Sequence, residues 1–154
     1  MKEFDIEERV DLALKNFETG HNCCQAVFMA YADLFGLDKE LAKNISAGFG
    51  GGMGRMREVC GTTSAMTMLA GLMYPVTDTS DNEQRARNYV AVQEMAAKFK
   101  EAHGTIICRD LLVSLKNITT SPTPEKRTAE YYKVRPCGRF VETAARIVGN
   151  ELKK

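Results

Sequence analysis

Apolar residues recur every three or four positions along most of this chain, and no segment shows the alternating pattern of a strand. A spacing of three to four places side chains on one face of an α-helix, whereas strand residues alternate with a period of two. The stretch Thr105-Ile106-Ile107 is too short to count as a strand. Because 154 residues make one ordinary domain, we predict a single all-α domain over residues 1–154, a bundle of about six to eight helices.

Capping residues give approximate bounds to these helices. Asn22 and Asp38 are good N-caps, and Ser80 followed by Glu83 matches a capping box at the start of the longest predicted helix. Pro124 is predicted to open a short helix, since proline is favoured in the first helical turn. The predicted helices cover roughly residues 2–17, 23–35, 39–45, 60–73, 81–103, 108–112, 124–135 and 137–152.

The segment 48–54, with sequence GFGGGMG, has five glycines in seven residues and is predicted to be a loop. Each glycine inside a helix costs about 1 kcal/mol relative to alanine. Such glycines permit positive φ angles or a close approach to the backbone. Two interpretations stay open. One is a glycine-lined contact between helices; the other is an anion- or phosphate-binding module that uses Gly50, Gly51 and Gly52 with Arg55 and Arg57.

Four of the five cysteines fall at or near the predicted N-terminus of a helix, although they are far apart in sequence. Helix N-termini carry partial positive charge and nearby arginines add to it, so both favour the thiolate, which is the form that reacts and binds metal. These candidate site residues are Cys23, Cys60, Cys108 and Cys137, with Arg57, Arg109 and Arg139 as neighbours that would tune them. The fifth cysteine, Cys24, is expected to pack in the core as a small apolar side chain.

Four thiolates support three kinds of chemistry. Four cysteines are the usual ligands of [2Fe–2S] and [4Fe–4S] clusters, which would make this an electron-transfer protein. Another divalent metal such as zinc is an alternative cofactor, although zinc sites generally use closely spaced ligand pairs, which this chain lacks. Without metal, the same residues would be redox thiols that form reversible disulfides, as in an oxidoreductase.

The order of the cysteines and the glycine-rich segment resembles that of the bacterial C_GCAxxG_C_C family of redox-active proteins. The resemblance rests on NCCQAV at 22–27, GFGGGMGRM at 48–56, EVCG at 58–61, CRDLL at 108–112, and Cys137. On this resemblance the family's four cysteines are Cys23, Cys60, Cys108 and Cys137, and Cys24 is an addition. The family's CGAxxG motif reads CGTTSA from Cys60 onward, a change that a helix tolerates.

The resemblance implies a small, single-domain, redox-active protein. Some members carry twin-arginine export signals, which hint at a prosthetic group such as an iron–sulfur cluster, and a related domain occurs in a type of multihaem cytochrome. This chain has no C-x-x-C-H motif, so it cannot attach a c-type haem in the usual way. No reaction or substrate follows from the resemblance.

Charge and hydropathy limit the expected partners. No stretch approaches 18 apolar residues, and the acidic, amphipathic N-terminus does not look like a secretory signal, so we expect a cytoplasmic protein that does not enter a membrane. The 21 basic and 20 acidic residues nearly cancel, and we expect no nucleic-acid partner. The expected partner is a redox protein or a small-molecule oxidant or reductant, and a homodimer is the base-rate expectation for assembly.

Overall fold

The computed structural model describes all 154 residues and contains eight α-helices and no strand beyond one isolated β-bridge. The predicted all-α class and the number of helices are confirmed. The helices are α1 Ile6–Glu18, α2 Cys23–Ala32, α3 Lys39–Ser46, α4 Gly61–Met73, α5 Asn82–His103, α6 Cys108–Leu111, α7 Ala129–Val134 and α8 Cys137–Leu152. Short 3-10 turns at Asp33–Phe35 and Ala47–Phe49 follow α2 and α3.

Helix α2 forms the centre of the domain. It packs against α1, α3, α4 and α8, and eight of its ten residues are buried. A helix that is apolar on all sides is typical of a buried core element. Full burial of a side chain such as Val27 or Phe28 stabilises the fold by roughly 1.5–3 kcal/mol. The N-terminus of this central helix is therefore held firmly, and Cys23 is its first residue.

Tyr31 links α2 to α8 inside the core. Its hydroxyl donates a 2.7 Å hydrogen bond to the carbonyl oxygen of Ala145, which satisfies the polar end of a fully buried ring. Gly149 on α8 makes this packing possible, since a Cβ there would lie 2.8 Å from both the Tyr31 hydroxyl oxygen and a methyl carbon of Ile6. Helices α1, α2 and α8 can thus approach one another closely.

The predicted cap of α5 and the predicted start of α7 are wrong, and α1 begins at Ile6 rather than near residue 2. The remaining helix starts lie within one residue of those predicted. The capping box at Ser80 does not form. Asp81 instead accepts hydrogen bonds from the Glu83 and Gln84 amides at 2.9 and 3.1 Å, and the Ser80 hydroxyl donates to Asp78. Because Asp81 is one residue nearer to the helix, it is the residue placed to cap α5.

The helix predicted from Pro124 begins at Ala129, where the Thr128 side chain caps it. The reason is a set of hydrogen bonds from two arginines that are distant in sequence. Arg57 donates to the Thr119 carbonyl at 3.0 Å, and Arg55 donates to the carbonyls of Ser121 and Thr123. Residues 119–125 are therefore held in an irregular conformation, called here the strap, by side chains distant in sequence.

None of the eight helices combines the length and the hydrophobicity needed to cross a lipid bilayer.

Candidate functional site

Each of the four cysteines singled out from the sequence begins or caps a helix. Cys23, Cys108 and Cys137 are the first residues of α2, α6 and α8, and Cys60 is the N-cap of α4. All four line one cavity of about 60 Å³, called here the cysteine cavity. Cys60 and Cys108 are buried, whereas Cys23 and Cys137 are partly accessible. The fold thus brings together four thiols that are spread over 115 residues of sequence.

A single β-bridge aligns two of these cysteines. Val59 pairs with Ile107 in antiparallel fashion. The Cys60 amide donates to the Ile106 carbonyl at 2.7 Å, and the Cys108 amide donates to the Glu58 carbonyl at 2.6 Å. The residues that lead into α4 and α6 are therefore held side by side, which places Cys60 and Cys108 at the same cavity.

The sulfur of Cys23 is surrounded by hydrogen-bond donors. The Cys60 thiol donates to it and lowers the pKa of Cys23 to about 6, against the effect of burial, with help from the backbone amides of Gly51, Cys24 and Gly61. The same hydrogen bond, followed by burial, raises the pKa of Cys60 well above its usual range. Cys23 is therefore the member of this pair that loses its proton more readily.

The pKa values of the other two cysteines are raised. Burial raises the pKa of Cys108, although Arg57 donates to its sulfur at 3.8 Å and opposes the rise. Burial and the charge on Cys23 raise the pKa of Cys137 to about 12. Of the four thiols in this cavity, Cys23 is therefore the one that loses its proton most readily.

The glycine-rich segment closes one side of the cysteine cavity. Gly51, Gly52 and Gly54 have φ angles of 65°, 70° and 56°, a left-handed conformation that glycine adopts without strain. A Cβ at Gly52 would lie 2.7 Å from the Cβ of Cys108, and a Cβ at Gly50 would lie 2.5 Å from the Asn22 side chain. The glycines thus allow the loop to pack closely against Asn22 and Cys108. One interpretation of the sequence is a glycine-lined contact between helices, but here the contact is made by a loop.

The amides of this loop are mostly satisfied inside the loop. Those of Gly54, Arg57 and Glu58 donate to the carbonyls of residues 48, 51 and 52 at 2.8, 3.1 and 2.9 Å. A phosphate-binding loop needs free amides that point at the ligand. Backbone recognition of an anion, as considered from the sequence, has little support here.

A second, larger cavity of about 380 Å³ adjoins the first and is called here the arginine cavity. It lies between the glycine-rich loop, the strap and the start of α7. Its charged lining residues are Arg55, Arg57, Arg127, Arg135 and Glu125. The two cavities share six lining residues, namely Asn22, Gly51, Arg57, Arg127, Tyr131 and Arg135. A ligand in the arginine cavity would therefore lie next to the cysteines.

A family model described as "Putative redox-active protein (C_GCAxxG_C_C)" matches residues 21–151. The chain belongs to this family. The match includes all four cysteines, the glycine-rich loop and the strap. Searches of curated proteins and of solved structures found no match.

Of the three arginines named from the sequence of this C_GCAxxG_C_C protein, only Arg57 lines the cysteine cavity. Arg109 is exposed, donates to the Met56 carbonyl at 3.4 Å and faces Glu58. Arg139 is exposed and lies near His103, whose pKa is lowered by burial and then by this arginine.

Arg127 and Arg135 line both cavities instead of Arg109 and Arg139. Arg127 donates to the carbonyls of Phe17 and His21 at 3.5 and 3.2 Å and lies over the Tyr131 ring, so it joins α7 to the end of α1. No sequence pattern singled out Arg127.

Cys24 lies in the core, fully buried, with its sulfur 4.0 Å from that of Met68. Burial raises the pKa of Cys24 far above its usual range. Cys24 does not line the cysteine cavity, although it is adjacent in sequence to Cys23.

The donor set of the C_GCAxxG_C_C protein can be tested against the predicted cofactors. No group of three or more histidine, cysteine, aspartate and glutamate side chains is gathered closely enough to hold one metal ion. A single zinc ion needs all its sulfur ligands about 2.3 Å from one point. An iron–sulfur cluster distributes its cysteines over several iron atoms, so its ligands need not meet at one point. The number of thiols around this cavity equals the number of cysteine ligands that an iron–sulfur cluster uses.

Proposed function

We propose that this C_GCAxxG_C_C protein is an electron-transfer protein in which Cys23, Cys60, Cys108 and Cys137 hold an iron–sulfur cluster. The observation that carries the proposal is that all four cysteines line the same cavity. Two separate pairs would instead favour dithiol chemistry alone. When bound, a cluster would supply a centre that accepts and releases single electrons.

Hydrogen bonds to sulfur support the same proposal. Arg57 donates to Cys108, and the backbone amides of Gly51, Cys24 and Gly61 donate to Cys23. Such donors stabilise charged sulfur and tune the reduction potential of a cluster. Leu111, Leu112 and Phe140 also line the cavity and limit the access of water. We infer that the partner is a redox protein or a small-molecule oxidant or reductant.

Metal analysis of protein purified without oxygen and without chelators tests the proposal. Stoichiometric iron and acid-labile sulfide, with visible charge-transfer bands, are expected for the wild-type protein. Cys108→Ala should lose iron and sulfide, whereas Cys24→Ala, the matched control, should keep both. A colourless protein that takes up neither iron nor sulfide on reconstitution would contradict the proposal.

One observation favours a second function, thiol–disulfide exchange. The Cys60 thiol is hydrogen-bonded to the Cys23 sulfur, and the pKa of Cys23 is lowered to about 6. A thiolate next to a thiol is the usual arrangement of a dithiol redox pair. Oxidation of the Cys23 thiolate and the Cys60 thiol would form one Cys23–Cys60 bond and release two electrons and the Cys60 proton. A disulfide or peroxide substrate would take up these electrons, that proton and a second proton from solvent, and its S–S or O–O bond would break.

Mass spectrometry after mild oxidation of metal-free protein tests this second function. A Cys23–Cys60 disulfide should form first and should be reversed by dithiothreitol. Cys137→Ala should still form it, since Cys137 is not in the hydrogen-bonded pair. Oxidation that distributes over all cysteines without a preferred pair would argue against dithiol chemistry.

A further inference from the structure

The arginine cavity has a large excess of positive charge. Four arginines and a single acid, Glu125, make up its charged lining. Three of these arginines are largely buried. The side chains of Arg135 and Arg55 are 6% and 14% exposed, and Arg57 as a residue is 4% exposed. Buried charges are unfavourable unless a counter-charge or a full set of hydrogen bonds accompanies them.

Glu125 neutralises only part of this charge. Its carboxylate lies 2.6 Å from Arg135 and 3.5 Å from Arg55. Arg57 and Arg127 form no ion pair, and the protein oxygens that they reach are neutral carbonyls of the strap and of the end of α1. Arg57 and Arg127 therefore have no carboxylate partner, and the four arginines with one glutamate leave a net charge of +3 on the cavity wall.

Size and lining indicate the kind of ligand that would supply the missing charge. A volume of about 380 Å³ is within the range of small-molecule sites. The wall consists mostly of polar side chains and glycine backbone, which suits a charged ligand rather than an apolar one. Guanidinium groups match the geometry of phosphate and sulfate oxygens and can bind them through two parallel hydrogen bonds.

We propose that the arginine cavity binds a small molecule through a phosphate- or sulfate-type oxyanion, next to the cysteine cavity. This inference goes beyond the proposed electron transfer and does not depend on which cofactor the cysteines hold. Arg127 and Arg135 are the anchoring groups, because they line both cavities and, unlike Arg57, do not donate to a cysteine sulfur. Glu125 acts as an internal competitor for Arg135.

Competition by Glu125 makes a gain-of-affinity test available. Glu125→Gln removes the carboxylate but keeps the shape of the side chain, so Arg135 becomes free to bind an external anion. A charge-assisted contact of this kind changes affinity by about tenfold. Tighter binding by Glu125→Gln cannot result from misfolding, so this variant keeps the proposal falsifiable even if other variants are unstable.

Isothermal titration calorimetry with inorganic phosphate and with sulfate, at ionic strength held constant with chloride, measures the binding. The expected result is one site in the wild-type protein, affinity about tenfold lower in Arg127→Gln, and affinity about tenfold higher in Glu125→Gln. Arg87→Gln is the matched control, since Arg87 is an exposed arginine on α5 and does not line this cavity. Its affinity should equal that of the wild-type protein.

The same titration on metal-free and on reconstituted protein separates this proposal from the proposed function. Saturable binding in both forms supports the arginine cavity whether or not iron is found. Equal affinities in wild type and Glu125→Gln, or equal losses in Arg127→Gln and Arg87→Gln, would overturn it. Absence of iron with intact phosphate binding would count against the cluster alone.

Discussion

Gly61 is the position where one added methyl group should most disturb the cysteine cavity. A Cβ at residue 61 would lie 2.5 Å from the Cys23 sulfur, 3.0 Å from the Phe49 carbonyl oxygen and 3.1 Å from the Cys24 amide nitrogen. The sulfur can rotate away, but two of the three contacts are with backbone atoms that cannot. Gly61→Ala should therefore displace Cys23 from its hydrogen bonds and strain the junction of α2 and α4.

Gly71, on the same helix, provides the matched control because a Cβ there would meet nothing within 4 Å. Alanine at a free helical position stabilises the fold by roughly 0.5–1 kcal/mol relative to glycine. Overpacking of a tight site costs about 1–3 kcal/mol. Gly71 lies inside α4 and Gly61 is its first residue, so Gly61→Ala gains no more from helix propensity than Gly71→Ala and should be less stable by at least about 1–3 kcal/mol.

Urea unfolding of the reduced protein, followed by circular dichroism, measures both free energies, and unchanged slopes would show that the comparison is valid. Thermal unfolding should separate the two variants by roughly 2–4 °C per kcal/mol in a chain of this size. Wild type should lie between them. If Gly61→Ala proves as stable as Gly71→Ala, the Cys23 sulfur does not lie in close contact with the start of α4.

Three further predictions concern the same site. In metal-free protein, Cys60→Ala removes the thiol that lowers the pKa of Cys23. The pH at which iodoacetamide alkylates Cys23 at half its maximal rate should therefore rise above about 6. An unchanged pH profile would contradict the pairing of Cys23 with Cys60. Gly52 has a left-handed φ of 70° and close backbone contacts, so Gly52→Ala should lower the free energy of unfolding by about 2–4 kcal/mol. Gly54 is also left-handed, but a Cβ there would meet nothing within 4 Å, so Gly54→Ala should lower it by only about 1–2 kcal/mol in the same urea assay. Cys24→Ala should lower stability by about 1 kcal/mol through a small core void but leave the redox titration of the cavity unchanged; loss of that titration would place Cys24 in the site.

The parts of the fold that sequence predicts well are those with local determinants. Asn22 and Asp38 cap α2 and α3 as expected, because a cap acts on amides two or three residues away. Helix α8 covers the predicted residues 137–152, since its apolar stripe is long and regular. The late start of α7 could not be predicted, because it depends on Arg55 and Arg57, more than 60 residues earlier.

The pairing of Val59 with Ile107 is the nonlocal feature that matters most for the site. A strand is recognised in a sequence by apolar and polar residues that alternate over several positions. A bridge with one residue on each side is too short to produce that pattern. The bridge nevertheless fixes the positions of Cys60 and Cys108. Sequence could therefore indicate which cysteines matter and that they begin helices, but not that they share one cavity.

The arginines show why adjacency to a cysteine is a poor guide to contact with it. Successive residues on a helix point about 100° apart, so Arg109, one residue after Cys108, and Arg139, two residues after Cys137, are rotated away from the cavity that the cysteines face. Arg135 precedes α8 and is free of this constraint. Arg127 reaches the cysteines because α7 folds back over the end of α1. Contact with a helix N-terminus is thus more readily made from the loop before the helix, or from another element, than from its own first turn.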